Sequence, residues 1–278
     1  MLPYLKCAAA SIADQAFNSN ETFEHLIMDA QSTDGTFQWL HSSPYPHLRW
    51  VSEKDKGMYD AINKGLQQAT GDIIAYLNCD EQYLPGTLDY VSHYFKTHPQ
   101  IDIIFGDALL IRRDGTLVAY RKGYTPRWPY ILTSHLYVLS CTMFFRRALI
   151  EDGLQFDTGY RAVGDADFVV RVLRKGYHAQ HLKRYLSAFT MTGQNLSIDQ
   201  RAISEQQQLL TQAPFLLRKT RLLFNGIRWI EKFICGAYFQ KMPLIYSVYV
   251  PNTQNIKSEE FIRNKFSVNR ASFRWRFE

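Results

Sequence analysis

No part of this 278-residue chain contains the ~18–20 consecutive apolar residues needed to cross a bilayer. The first residues also lack the basic segment, apolar stretch and cleavage site of an export signal. The expectation is a chain that neither spans a membrane nor is exported. Cysteine is scarce: Cys7, Cys79, Cys141 and Cys235 lie far apart with no C-x-x-C or other ligand spacing. That pattern excludes a disulfide framework and a zinc site, and it suits a reducing cytosol. Internal repeats and low-complexity stretches are absent, and no nucleic-acid recognition motif is present. What remains is ordinary for a globular protein: 46% hydrophobic and 21% charged residues, enough to bury one large α/β core or two smaller ones.

Charge is unevenly spread. Residues 201–278 carry 13 Lys/Arg against 5 Asp/Glu, a net +8, whereas residues 1–200 are at −2. The one compositional boundary therefore falls near residue 200, giving a catalytic-type unit over 1–200, with halves 1–97 and 98–200, and a basic extension over 201–278. Within the extension, 205–240 interleaves basic and apolar residues as an amphipathic helix. Such a helix either lies on an anionic membrane surface or packs on the rest of the protein with its charges outward.

Along the first unit, helical spacing over 4–17 is followed by a short apolar strand, Glu24 to Asp29, and a Ser/Thr/Asp/Gly turn. A short helix from Thr36 to Leu40, a strand Leu48–Val51, a charged loop Ser52–Gly57 and a helix over 58–69 come next. The continuously apolar run Ile73–Leu77 reads as a strand covered on both faces. Pro85 opens a helix over 85–96. The strand Ile101–Phe105 leads to a hairpin turning at Asp114-Gly115. An apolar stretch in 134–150 ends at Phe144-Phe145-Arg146-Arg147, and a helix over 164–175 opens with Gly164-Asp165-Ala166-Asp167, whose carboxylates suit its positive end.

Two acidic turns stand out: Asp29-Ala-Gln-Ser-Thr-Asp34-Gly-Thr36 and Asn78-Cys79-Asp80-Glu81, each directly after an apolar strand. Acidic strand ends about one βαβ unit apart suit a nucleotide and its metal ion, because a diphosphate needs a hard cation and a hard cation needs oxygen ligands. The bland alternatives are an Asx turn closing a strand for Asp29 and Asp34, a solvated loop for Asp80 and Glu81, and a helix cap for Asp165.

Three ordered blocks carry a resemblance: Ile27-Met-Asp29-Ala-Gln-Ser-Thr-Asp34-Gly-Thr36; Ser52-Glu-Lys-Asp55-Lys56-Gly57-Met-Tyr59-Asp60-Ala-Ile-Asn63-Lys-Gly65; and Ala69-Thr-Gly-Asp72 with Leu77-Asn-Cys-Asp80. Together, over residues 4–195, they resemble the family 2 glycosyltransferases of the GT-A fold, a mostly parallel Rossmann-like sheet flanked by helices. The resemblance implies an inverting transfer of one sugar from a nucleotide-diphosphate donor to an acceptor hydroxyl in polysaccharide or cell-envelope glycan synthesis. It places Asp29 on the nucleotide base and Asp34 on the nucleotide or the loop, with Lys56, Asn63 and Asn78 on the donor side. The family's D-x-D falls on Asn78-Cys79-Asp80, so Asp80 is the expected ligand of Mg²⁺ or Mn²⁺, helped by Glu81. Asp165 is the expected base, and Thr192–Asn195 the loop bordering the diphosphate. Lys64 is a further candidate against diphosphate charge, whereas Asp107 and Asp167 read as structural or acceptor-side and His135 stays outside the catalytic set.

Two departures from the pattern have consequences. The strand that usually opens the fold is not seen, since Met1 enters at the following helix, so either the true start lies upstream or the strand and part of the donor site are lost; the Gln-x-x-Arg-Trp motif of processive members is also absent, which favours single-sugar transfer. The competing readings are a GT-A-fold binding or scaffold protein impaired by the missing strand, and a nucleotidyltransferase, which needs a Gly-rich basic loop not seen here. The expected partners are a nucleotide-sugar donor, a glycan or lipid-linked acceptor and an anionic membrane surface, with no nucleic acid; the expected location is the cytoplasm, at the inner face of the plasma membrane.

Overall fold

The computed structural model describes residues 1–18, 21–193, 200–252 and 261–273. The chain opens with helix α1 (Leu2–Asn18), strand β1 (His25–Asp29), α2 (Thr36–His41), β2 (Leu48–Ser52), α3 (Met58–Gln68) and β3 (Ile73–Ala75). Strand β4 (Glu81–Tyr83) and α4 (Thr87–Thr97) lead to the hairpin β5 (Ile103–Ile111) and β6 (Leu117–Arg121). After α5 (Trp128–Thr133) come β7 (Phe144–Arg146), α6 (Ala148–Glu151), α7 (Gly164–Arg174) and β8 (Ala179–Thr190). The tail forms α8 (Gln200–Thr211), α9 (Phe215–Lys219), α10 (Arg221–Ile234) and the antiparallel hairpin β9 (Leu244–Pro251) and β10 (Phe261–Val268).

Strand β5 is the spine. All nine of its residues are buried, as a central strand covered on both faces requires. The sheet around it runs β3-β7-β5-β8-β4 with β6 alongside β5. Its pairing is mixed rather than mostly parallel: β5 and β8 run parallel, while the β3–β7, β5–β7, β5–β6 and β4–β8 pairs are antiparallel. The register slips around Asp107, where a Cβ on Gly106 would lie 2.4 Å from Leu186 Cγ. The absent side chain lets β8 close on β5 there, and buried Asp107 uses the bulge to accept the Gly123 N–H at 3.0 Å. Asp107 is thus a structural carboxylate.

Sequence patterning finds neither β8 nor the tail hairpin. Lys183 and Arg184 interrupt β8 midway, where the strand is exposed. The turn expected after Asn78-Cys79-Asp80 instead leads into β4, pairing Glu81, Gln82 and Tyr83 with Ser187–Phe189. The stretch 205–240, read as one amphipathic helix, is instead divided among α8, α9 and α10, the last ending at Ile234, and the extension is not wholly helical, since β9 then returns to the core. Leu244, Tyr246, Val248 and Val250 pack on Leu109, Ile111 and Tyr120, and Gln82 pairs with the backbone N–H and C=O of Tyr249 at 2.7 and 2.9 Å.

Strands β1 and β2 form their own parallel pair, and β3 sits at the edge of the six-stranded sheet. Between the free edges of β1 and β3 lies a cavity of about 1320 Å³, lined by every residue of both strands and walled by α1 and α3. The cavity separates the β1–β2 pair from the six-stranded sheet.

Candidate active site

The cavity runs the length of β1 and β3 and so includes their C-terminal ends, where an open α/β sheet presents its ligand crevice. Asp29, Asp55 and Asn78 all line it. Asp29 is buried at the end of β1; its carboxylate accepts the Ser52 hydroxyl at 2.6 Å and the Ser32 N–H at 3.2 Å. Asp34 lies in the following turn. It accepts the Thr36 hydroxyl at 2.6 Å, the Met1 amino group at 2.6 Å and the Leu2 N–H at 2.9 Å. The amino group foremost, then Thr36, holds its carboxyl well below the usual carboxylate range. These bonds make Asp34 a brace between the turn and the start of α1.

Lys56 is exposed in the loop after β2, and its own N–H caps onto Asp60 at 2.9 Å. Its neighbour Asp55, quoted in the sequence motif without a role, is the residue of this loop that lines the cavity and accepts the Gly57 N–H at 2.8 Å. Lys64 is turned away from the diphosphate role: it bridges Glu53 at 2.8 Å and Asp60 at 3.5 Å.

The donor-side expectation does not hold for Asn63. It is buried, and both ends of its amide are used on the backbone of Phe156, Nδ2 donating to the carbonyl and Oδ1 accepting the N–H, each at 2.8 Å. Asn63 therefore ties α3 to the loop ahead of α7. Asn63→Ala is expected to cost about 2–3 kcal/mol of stability, because two buried backbone groups lose their partners, while nucleotide affinity at 25 °C stays within about twofold. Urea denaturation and donor titration on the same variant check both.

The second acidic turn is organised around Glu81. Its side chain is 2% exposed and accepts the Asn78 N–H at 2.7 Å. Burial raises its pKa to about 8, and the nearby charges of Asp80 and Asp165 push in the same direction. Glu81 is turned into the fold, so the helper-ligand role expected of it would require release from the Asn78 N–H. Asp80 is only part-buried. Among the described residues no group of three or more metal-ligating side chains is assembled. A divalent ion carried on a diphosphate needs only one or two carboxylates, the rest of its shell being phosphate oxygen and water. Asp80 fits that requirement, and a closed protein cage does not.

Asp165 stands in the first turn of α7, with Oδ1 accepting the Ala166 N–H at 2.8 Å and its own N–H donating to the Tyr59 hydroxyl at 3.2 Å. Burial raises its pKa to about 6. Gly164 makes this arrangement possible, since a Cβ there would lie 2.6–2.8 Å from the Tyr59 ring. Gly164→Ala is expected to displace Tyr59 and cost about 1–3 kcal/mol, visible as a lower Tm, with transfer lost beyond the fraction unfolded. Asp167, by contrast, is buried and paired to Arg171 at 2.7 Å along the same helix, a structural use. The charge of Asp165 is brought within electrostatic reach of the sequence-distant Glu81, next to Asp80. Of the Thr192–Asn195 loop, Thr192 is buried and its carbonyl accepts from Arg113; Gln194 and Asn195 lie outside the described residues.

The site comprises a split α/β sheet with carboxylates at its strand ends and a helix opening with Asp165. The glycosyl transferase family 2 model matches residues 2–154, more than half of the chain, so this chain belongs to that family. Its similarity extends to the "PGL/p-HBAD biosynthesis glycosyltransferase" of Mycobacterium bovis, 27% identical over 186 residues, 62% of this chain and 67% of the relative. The chondroitin synthase of Escherichia coli is 25% identical over 215 residues, 74% of this chain but 30% of that protein. Among solved structures, S. aureus TarS 1-349 in complex with UDP-GlcNAc aligns with TM-score 0.58 at 15% identity, covering 93% of this chain and 95% of that one. The complex of the same protein with UDP aligns at 0.56 and 19% identity over 74% of this chain and 60% of that one. These likenesses establish the GT-A fold. No helix among the described residues is long and apolar enough to cross a membrane.

Proposed function

We propose that the chain, with residues 1–200 as its catalytic unit, transfers a single sugar from a nucleotide-diphosphate donor to an acceptor hydroxyl, with inversion, in the assembly of a glycan. The observation that carries this reading is that Asp80 and Asp165, far apart in sequence, both act on the buried Glu81, and that burial raises the Asp165 pKa to about 6. Such a carboxylate is ionised at neutral pH yet basic enough to take a proton. Asp29 holds the base end of the nucleotide, and Asp80 faces the diphosphate. Asp80 would hold Mg²⁺ or Mn²⁺, which would supply positive charge against the leaving nucleotide. Asp165 takes the acceptor's proton as that oxygen attacks the anomeric carbon from the face opposite the diphosphate. Positioning and electrostatics supply the rest of the rate.

The TarS complexes hold UDP and UDP-GlcNAc, which makes a uridine donor the first to test. The mycobacterial and E. coli relatives carry names of glycolipid-type and polysaccharide synthesis, which supports a lipid-linked or glycan acceptor met at the cytoplasmic face of a membrane. Calorimetric titration with UDP, GDP and dTDP, each with Mn²⁺ and with chelator, is the test. Metal-dependent binding of one nucleotide supports the transferase reading. One alternative is a GT-A-fold binding or scaffold protein, and folded protein that binds none of the three nucleotides would select it.

A further inference from the structure

Helix α10 is built inside out. Its polar residues face the protein: Glu231 accepts from Arg127 at 3.0–3.1 Å and from the Tyr130 hydroxyl at 3.0 Å, Arg221 donates to the Thr133 carbonyl at 2.8 Å, and Arg228 is buried. Its apolar residues face away. Leu222, Leu223, Ile227, Ile230, Phe233 and Ile234 share one arc of the helix, at roughly 100° per residue, and all are exposed, Leu222 to 87% and Ile234 to 76%. Trp229 lies on the same arc at 60%, and Phe215 and Leu216 of α9 continue the surface at 73% and 70%.

Water alone does not favour this orientation. A helix packing on a globular core turns its apolar stripe inward and its charges outward, and contiguous exposed apolar surface of this extent marks an interaction site. The inward ion pairs lock the helix so that rotation to hide the stripe would leave Glu231 and Arg127 unpaired. Residues 214–241 contain six Lys/Arg and one acid. That acid, Glu231, is the one facing inward, whereas Arg218, Lys219 and Lys241 are exposed beside the apolar face. An apolar stripe carrying Trp and Phe and edged by cations alone is complementary to an anionic bilayer: aromatics and aliphatics enter the headgroup boundary, and cations meet the lipid phosphates.

We propose that α9 and α10 form an in-plane membrane anchor that seats this chain on an anionic lipid surface. The anchor gives the peripheral-membrane part of the proposed function its surface and rests on that reading, but not on catalysis. Its test therefore uses vesicles and no sugar donor, with nucleotide binding measured separately on the same protein.

The purified full chain is floated with vesicles of phosphatidylcholine alone and of phosphatidylcholine with roughly one-third phosphatidylglycerol. Recovery with the anionic vesicles, weakened by salt, is expected. The double substitution Leu222→Glu with Ile230→Glu is expected to lower vesicle affinity on the order of tenfold or more, with unchanged Tm because both residues are exposed. Arg218→Glu with Lys219→Glu is expected to weaken binding and flatten its salt dependence. Undiminished binding by the Leu222/Ile230 variant overturns the anchor. So does a chain that ignores both vesicle types, and a concentration-dependent dimer that the same substitutions dissolve assigns the face to a second copy instead.

Discussion

Asp165→Asn is expected to lower the transfer rate about 10²–10⁴-fold, the range a positioned general base supplies, while nucleotide affinity in calorimetry stays within about twofold. The substitution preserves the hydrogen bond from the Ala166 N–H, because an amide oxygen still occupies the Oδ1 position. The same variant carries a stability signature that a mere helix cap lacks. Burial raises the Asp165 pKa from 3.8 to about 6, so the folded state binds the proton more tightly than the unfolded chain. The stability this proton confers is fully present below about pH 4 and is lost as pH rises through about 6. The neutral amide escapes that loss. Asp165→Asn is therefore expected to match the parent near pH 4 and to exceed it by about 2 kcal/mol at pH 7–8, read from urea midpoints across pH. In the parent, kcat is expected to fall as pH drops below about 6, where the base is protonated. An Asn variant that loses transfer and donor binding together would sink the division of roles between Asp165 and the donor site.

Asp80→Ala is expected to abolish the metal-dependent part of donor binding, so that titrations with Mn²⁺ and with chelator become superimposable. Asp80 is the only carboxylate of its turn suited to the diphosphate, because Glu81 is turned inward onto the Asn78 N–H. The contrast with Glu81→Gln isolates this. An amide at position 81 still accepts from Asn78 and carries no charge, as the raised Glu81 pKa of about 8 implies for the parent at neutral pH. Metal-dependent binding is therefore expected to survive in Glu81→Gln, with donor affinity within a few-fold. Loss of metal dependence in the Gln variant, with Asp80→Ala unaffected, would exchange the two residues' roles.

How much of this was legible in advance differs from residue to residue. The strand-end turns at Asp29 and Asn78–Asp80 were, because a buried apolar run followed by Asp, Ser, Gly or Asn is a local pattern. Asp165 at a helix start was visible for the same reason, and its neighbours were not: Tyr59 reaches it from 106 positions away, and only the bare Gly164 lets it. Asn63 illustrates the opposite error. It sits within the motif, yet its amide is used on a backbone 93 residues distant, a partner that no spacing rule shows.

The sequence by itself determined the family, the strand and helix order as far as β3, and which carboxylates end strands or open helices, because these rest on local periodicity and turn chemistry. Tertiary structure alone decided which of those carboxylates meet, which are turned inward, and that the sheet is split between β1 and β3. It also decided the facing of α10. Periodicity shows that a helix has two faces, but which one turns toward water depends on partners such as Arg127 and Thr133, about 90–100 residues away along the chain.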